Sequence, residues 1–342
     1  MLGAHSATTL VSWASPRCTD SQCVPRGRSA AYHCRPMHQR VNLLHEAGSA
    51  CCVGMRQSIM ALTRSLSQDV VTQLRPQLVW QPSVAAEQVL EIHSGCDHVA
   101  ARCASGDVLT WGSGKQGQLG RVGVRMSDRG HTMLETFTQP ARMHLPFSLR
   151  SKCRSVACGW YSTYAVLHDG SVYACGLNNY GQLGVDAAMA VYAPKRVKAL
   201  ADKTVMHIAA GAHHTLALCN DGSTYAFGRP TYGRLGVTGI ATNSDEPMRE
   251  AKQLEIPDLE GTVQGIAAGD SVSGCFTDQM CGLFLCGSNN TGMLAKGDDD
   301  TDETQMARVK RTKAFNEVKV TQLSFGGQHV VMLTVPAEGA SA

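Results

Sequence analysis

The chain has 342 residues, enough on length alone for about two domains or one large repeat domain. Its 31 Lys and Arg against 28 Asp and Glu leave a net charge of only +3, so no global field demands a nucleic-acid partner and any basic patch must be local. Gly is abundant at 34 while charged residues are only 17%, which suits an all-β chain of many tight turns, and the lack of a stretch of about 18 apolar residues argues against a membrane span.

In chain order, residues 1–80 stand apart. Arg recurs there (Arg17, Arg26, Arg28, Arg35, Arg40, Arg56, Arg64), whereas the first Lys of the chain is Lys115. Acidic residues are few and no hydrophobic period holds. An Arg- and Ser-rich, acid-poor start has the composition of an organelle transit peptide; a poorly ordered segment, or one that is not authentic coding sequence, fits as well. A secretory signal fits worse, because MLGAHSATTLVSWAS has no basic start. Cys18, Cys23, Cys34, Cys51 and Cys52 with His33, His38 and His45 suggest zinc, yet the spacings lack the paired CxxC clips of tetrahedral sites, so no metal is expected. The 14 cysteines of the chain are scattered, often at apolar strand-like positions such as Cys175 and Cys286, which points to a reducing compartment.

From about residue 90 a long period appears. LTWGSGKQGQLG (109–120), YACGLNNYGQLG (173–184), YAFGRPTYGRLG (225–236) and FLCGSNNTGMLA (284–295) are versions of one phrase. Its two glycines fall at Gly112 and Gly117, Gly176 and Gly181, Gly228 and Gly233, and Gly287 and Gly292. A second phrase travels ahead of it: SGCDHVA, CGWYSTYA, GAHHTLA, GDSVSGC and finally GGQHVVM. From Gly95 to Gly112, Gly159 to Gly176 and Gly211 to Gly228 the step is 17 residues, and from Gly269 to Gly287 it is 18. Between the phrases, apolar runs flank Asp-Gly pairs, as in TLALCNDGSTYAFG, which predicts hairpins with Gly supplying positive φ in a primed turn. Each unit of about 50–60 residues with four short strands reads as a propeller blade, the Leu of each phrase (Leu119, Leu183, Leu235, Leu294) returning to the core. No helix pattern follows GSGKQG, so the glycines are architecture and not a nucleotide site. Paired carboxylates at a defined spacing, a Gly-x-Ser-x-Gly elbow and HExxH are all missing, so covalent catalysis is not expected.

These units resemble the repeats of the regulator of chromosome condensation family over about residues 85–335. WGSGKQGQLGRVGVRMSDRG, YACGLNNYGQLG, YAFGRPTYGRLG and GGQHVVML, in this order, are similar to the family's later blades. The resemblance implies a seven-bladed propeller, one face of which docks on the small GTPase Ran and drives out GDP by disturbing its phosphate-binding loop and switch regions, with no cofactor. It implies Asp97, His213, His214 and His329 as Ran-facing candidates. The alternative is that His98, His214 and His329 cap turns within the blades. The insertion 121–133 corresponds to the family's nucleosome-contacting loop, with Arg121, Arg125 and Arg129 as candidates for the histone acidic patch; a solvated loop is the other reading. RVKRTK (308–313) could touch DNA phosphates or act as a nuclear signal, or be solvated like the acidic GDDDTDE (297–303). A nuclear, chromatin-bound monomer follows if the ring is complete, with the cytoplasm as alternative; a non-catalytic propeller scaffold is the second functional class.

The chain departs from the family. Only about four and a half repeats are visible where seven are expected, and no equivalent is found of the projecting hairpin used as a wedge against Ran. Either the chain is truncated at its start or it is a diverged protein that does not close, and for this chain, lacking the wedge, weak or no exchange is expected. The expected organisation is an N-terminal segment over 1–80, partial propeller over 81–336 and a tail over 337–342. With no N-terminal strand the last blade has an open edge.

Overall fold

A computed structural model describes residues 9–14, 50–51, 78–80, 88–121, 125–126, 132–133, 136–146, 148, 153–187, 189–239, 244–280, 282–296, 302–308 and 318–336. The strands are β1 (Thr9–Ala14), β2 (Ala50–Cys51), β3 (Leu78–Trp80), β4 (Val89–Ser94), β5 (His98–Cys103), β6 (Val108–Ser113), β7 (Arg125–Met126), β8 (Thr132–Met133) and β9 (Thr136–Arg142). They continue with β10 (Cys153–Cys158), β11 (Ser162–Leu167), β12 (Val172–Leu177), β13 (Ala190–Arg196), β14 (Val205–Ala210), β15 (His214–Cys219), β16 (Thr224–Gly228) and β17 (Met248–Gln253). The last are β18 (Val263–Ala268), β19 (Val272–Thr277), β20 (Leu283–Gly287), β21 (Glu303–Arg308), β22 (Val318–Phe325) and β23 (His329–Pro336).

They form an all-β propeller: four antiparallel four-stranded blades, β4-β5-β6-β9, β10-β11-β12-β13, β14-β15-β16-β17 and β18-β19-β20-β21, followed by a fifth sheet. The first strands of successive blades, β4, β10, β14, β18 and β22, lie beside one another and so line the axis. The fifth sheet is β1-β23-β22, in which Thr9 pairs with Thr334 and Ala14 with His329. Residues 9–14 therefore cover an edge of β23 that the repeats alone would leave open.

The middle strands of each blade are sandwiched between two neighbours, so they lack the alternation of a half-buried strand. Every position of β6, β11, β15, β16, β19 and β20 is buried. Packing of blade on blade also explains the phrases. Gly112, Gly176, Gly228 and Gly287 have φ of +106°, +117°, +113° and +111°. A Cβ there would come within 2.2–2.6 Å of the carbonyl oxygen of Asp97, Tyr161, His213 or Ser271 in the loop before the blade's second strand. Beside each of these glycines the outermost strand bulges, three of its residues opposing one inner-strand residue: Trp111, Cys175, Phe227 or Cys286, all 1% exposed or less. The phrase then descends against the next blade, placing Gly120 over Cys175 and Gly184 over Phe227. Leu119, Leu183, Leu235 and Leu294 are buried as expected.

The hairpin turns are not the primed type. Gly222 N–H donates to the Cys219 carbonyl and Cys219 N–H to the Ser223 carbonyl, with Gly222 at φ +82°. This is a type I turn closed by a glycine bulge, and 103–107 and 167–171 repeat it. The Asp of the turn prefers to accept from the residue two places on: Asp221 Oδ1 takes Ser223 N–H at 2.9 Å.

Candidate docking face

The second phrase and the glycine phrase meet at one end of every blade. Ser113, Leu177, Arg229 and Ser288 donate backbone N–H groups to the carbonyls of Asp97, Tyr161, His213 and Ser271. The loops before the second strands are also tied across blades. Cys96 N–H donates to the Trp160 carbonyl, Trp160 N–H to Gly211, and Ala212 N–H to Gly269. This belt makes the end face a rigid surface, which suits recognition by preorganised groups.

Asp97 and His213 lie on this face, half-buried. Asp97 Oδ1 accepts from Gln118 Nε2 at 3.2 Å, which fixes the carboxylate at the rim of the first blade. His213 stands edge-on to Tyr180, ring centroids 5.1 Å apart, and its buried Nδ1 has no hydrogen-bond partner among the described residues. Burial, then the nearby Arg234 and Arg229, pushes its pKa down and favours the neutral ring.

His214 does not reach the face. It is 1% exposed, and its Nε2 lies 2.8 Å from Ser273 Oγ, which in turn donates to the Arg234 carbonyl at 2.6 Å. His98 does the same one seam earlier, through Thr163 Oγ1 at 2.9 Å, with Thr163 donating to the Gln118 carbonyl at 2.6 Å. Between these two seams Tyr164 takes the place of the His: its hydroxyl meets Thr215 Oγ1 at 2.9 Å and donates to the Gln182 carbonyl at 2.7 Å. The ring Nε2 of His98 and of His214 thus clamps one blade to the next rather than capping a turn inside its own blade. Burial lowers their pKa to about 4 and about 3. His329 is half-buried over Gly326, where a Cβ would come within 2.1 Å of its Cε1.

Arg121 is likewise committed elsewhere. Its Nε donates to Thr110 Oγ1 at 3.1 Å and its guanidinium lies 5.3 Å from the Phe137 ring centroid, so it braces the first blade; burial lowers its pKa to about 10. Arg125 starts β7, which pairs with β8 as a small hairpin in the connection from β6 to β9. Arg129, residues 309–313, most of the acidic loop, the tail 337–342 and the early Cys and His residues other than Cys51 lie outside the described residues.

Sequence reasoning missed a cluster on the same face. Arg229 stacks over Tyr180 at 4.6 Å and is held by Asp245 at 2.8 Å. Arg234 lies 5.5 Å from the Tyr232 ring and donates to the carbonyls of Thr231 and Asp270. Trp160 packs edge-on against Tyr161, centroids 6.5 Å apart. The available signal was the residue before each second glycine, which is Tyr in two of the four phrases.

The RCC1-like domain matches residues 29–332. The chain is 36% identical over 250 residues to "Regulator of chromosome condensation" of Xenopus laevis, covering 72% of this chain and 57% of the relative. It is 30% identical over 207 residues to the Arabidopsis thaliana "Ultraviolet-B receptor UVR8", covering 60% of this chain and 43% of that protein. Among solved structures, Saccharomyces cerevisiae Prp20p, studied for its binding properties to Gsp1p and histones, superposes with a TM-score of 0.63 at 25% identity, covering 76% of this chain and 58% of that one. The chain thus spans little more than half the length of these regulator proteins. It belongs to the RCC1-like domain family.

Proposed function

We propose that the chain is a guanine-nucleotide exchange factor for a small GTPase of the Ran class, acting at chromatin in the nucleus. The observation that carries this reading is the similarity to a regulator of chromosome condensation over 72% of this chain, together with the RCC1-like domain match that runs through all four blades. The chemistry is binding alone. A face that prefers the nucleotide-free GTPase lowers nucleotide affinity by the same factor, because the two bindings are linked. Asp97, His213 and the edge of His329 are its contact candidates, while His214 serves the seam. Arg125 and Arg129 remain the histone-facing candidates; Arg121 is withdrawn, its guanidinium being engaged with Thr110 and Phe137. The propeller proper is taken as 81–336, with β1 docked on it from the N-terminal segment.

The test is binding of the 342-residue chain to Ran, followed by release of fluorescent GDP. Binding with weak acceleration is expected; a folded chain that neither binds Ran nor changes the release rate overturns the reading. A second reading, a non-catalytic scaffold, is supported by the match to a receptor named for ultraviolet-B. Under the first reading Asp97→Ala weakens Ran binding, and under the second it does not.

A further inference from the structure

We infer that the partner is gripped off-axis, by an aromatic sector confined to the second and third blades. The inference rests on the proposed docking of a Ran-class GTPase and names the part of the face that holds it. Tyr180 and Tyr232 occupy the same place in successive glycine phrases, immediately before Gly181 and Gly233. The same place holds Gln116 in the first blade and Thr291 in the fourth. Trp160 and Tyr161 add the second blade's other loop, so the described end face is aromatic over two blades and small or polar on either side.

The sector is built in advance. Tyr180 is fixed between the Arg229 guanidinium and the His213 edge, and Arg229 is anchored by Asp245, so little side-chain freedom remains to be lost on binding. Tyr232 is 43% exposed and yet sits at φ +66°, a left-handed conformation unfavourable for a residue with a Cβ. Packing does not require a large side chain there, since much of the ring faces solvent. A strained, exposed aromatic on a rigid loop is the mark of a contact retained for a partner. Asp245 pairs with Arg229, the buried Arg234 guanidinium is turned to the Thr231 and Asp270 carbonyls, and Asp97 and Asp270 flank the sector on the first and fourth blades. It fits an apolar patch on the GTPase with Lys or Arg to either side, and aromatic anchors in such a setting carry most of the binding energy.

The test uses the full chain and Ran, with affinity read by surface plasmon resonance and stability by thermal unfolding. Tyr180→Ala, Tyr232→Ala and Trp160→Ala are each expected to weaken binding at least about tenfold, with Gln116→Ala and Thr291→Ala within about twofold of the parent. Tyr232→Gly is the sharper variant: relief of the left-handed strain raises the unfolding midpoint while binding falls. Folded tyrosine variants that bind within about twofold of the parent overturn the inference and leave the exchange reading standing. Equal losses at Gln116 and Thr291 also overturn it, since the grip would then be spread round the face. If the parent chain fails to bind Ran, both readings fall together.

Discussion

At the scale of single residues the fold depends on backbone positions where a Cβ does not fit. At Gly176 a Cβ would lie 2.2 Å from the Tyr161 carbonyl oxygen, which is backbone and cannot swing away, and φ is +117°. Gly176→Ala is therefore expected to cost about 3 kcal/mol or more, read by urea unfolding. Ala295 presents the opposite case. It occupies the place of Gly120, Gly184 and Gly236 with φ +54°, so at this place the fourth phrase alone carries a side chain in the left-handed region. Relief of that strain outweighs the flexibility that glycine adds to the unfolded chain. Ala295→Gly should raise stability by about 0.5–1 kcal/mol in the same assay.

The unit above the residue is the seam between blades. In three seams a buried hydroxyl, Thr163, Thr215 or Ser273, donates to the carbonyl of the residue preceding the phrase Leu. In the fourth seam Val330 stands at the place of that hydroxyl and packs with Val272, Met293 and Leu294. Thr163→Val keeps the shape but strands the His98 Nε2 and leaves the Gln118 carbonyl only the weak Cys175 thiol at 3.6 Å, so a loss of about 2–3 kcal/mol in chemical unfolding is expected. The seam histidines also set a pH dependence. Their folded pKa values, about 4 and about 3, lie below the unfolded value of about 6.5, so the unfolded chain takes up their protons first. Stability is fully present above about pH 6.5 and falls as pH drops toward those folded values, by on the order of 3 kcal/mol for His98 and about 5 kcal/mol for His214 at the end of the range. His207 and His213, also lowered, act in the same direction. Unfolding midpoints between pH 7.5 and 4.5 should decline, and the decline should flatten in a His98→Asn, His214→Asn double variant.

For the whole molecule the question is how the last sheet is completed. β23 is flanked by β22 on one side and by β1 on the other, so an edge that would template aggregation is covered by the chain's own N-terminal strand. Removing residues 1–14 should accelerate hydrogen exchange at the β23 amides that face β1 and leave β15 and β19 unchanged, as followed by mass spectrometry. Equal exchange in both proteins would show that β1 does not hold that edge in solution.

Much of this molecule was legible from its spacing. The repeat period, the strand pairs on either side of Asp-Gly, the phrase glycines and the buried phrase leucines were readable because each is set by backbone geometry within a few residues. The type of hairpin turn was misread, since a glycine of positive φ serves primed turns and bulged type I turns alike. What stayed hidden depends on neighbours remote in sequence. His213 and His214 are adjacent, yet one lies on the end face and the other disappears into a seam against Ser273, 59 residues away. Arg121 looked like a free loop cation until β9 brought Phe137 beneath it. Trp160, Tyr180, Arg229 and Tyr232 form one sector only because consecutive blades stack with their loops at the same end. Local constraints are written in spacing; exposure and partnership arise when separate blades close on one another, and only the tertiary structure decided them.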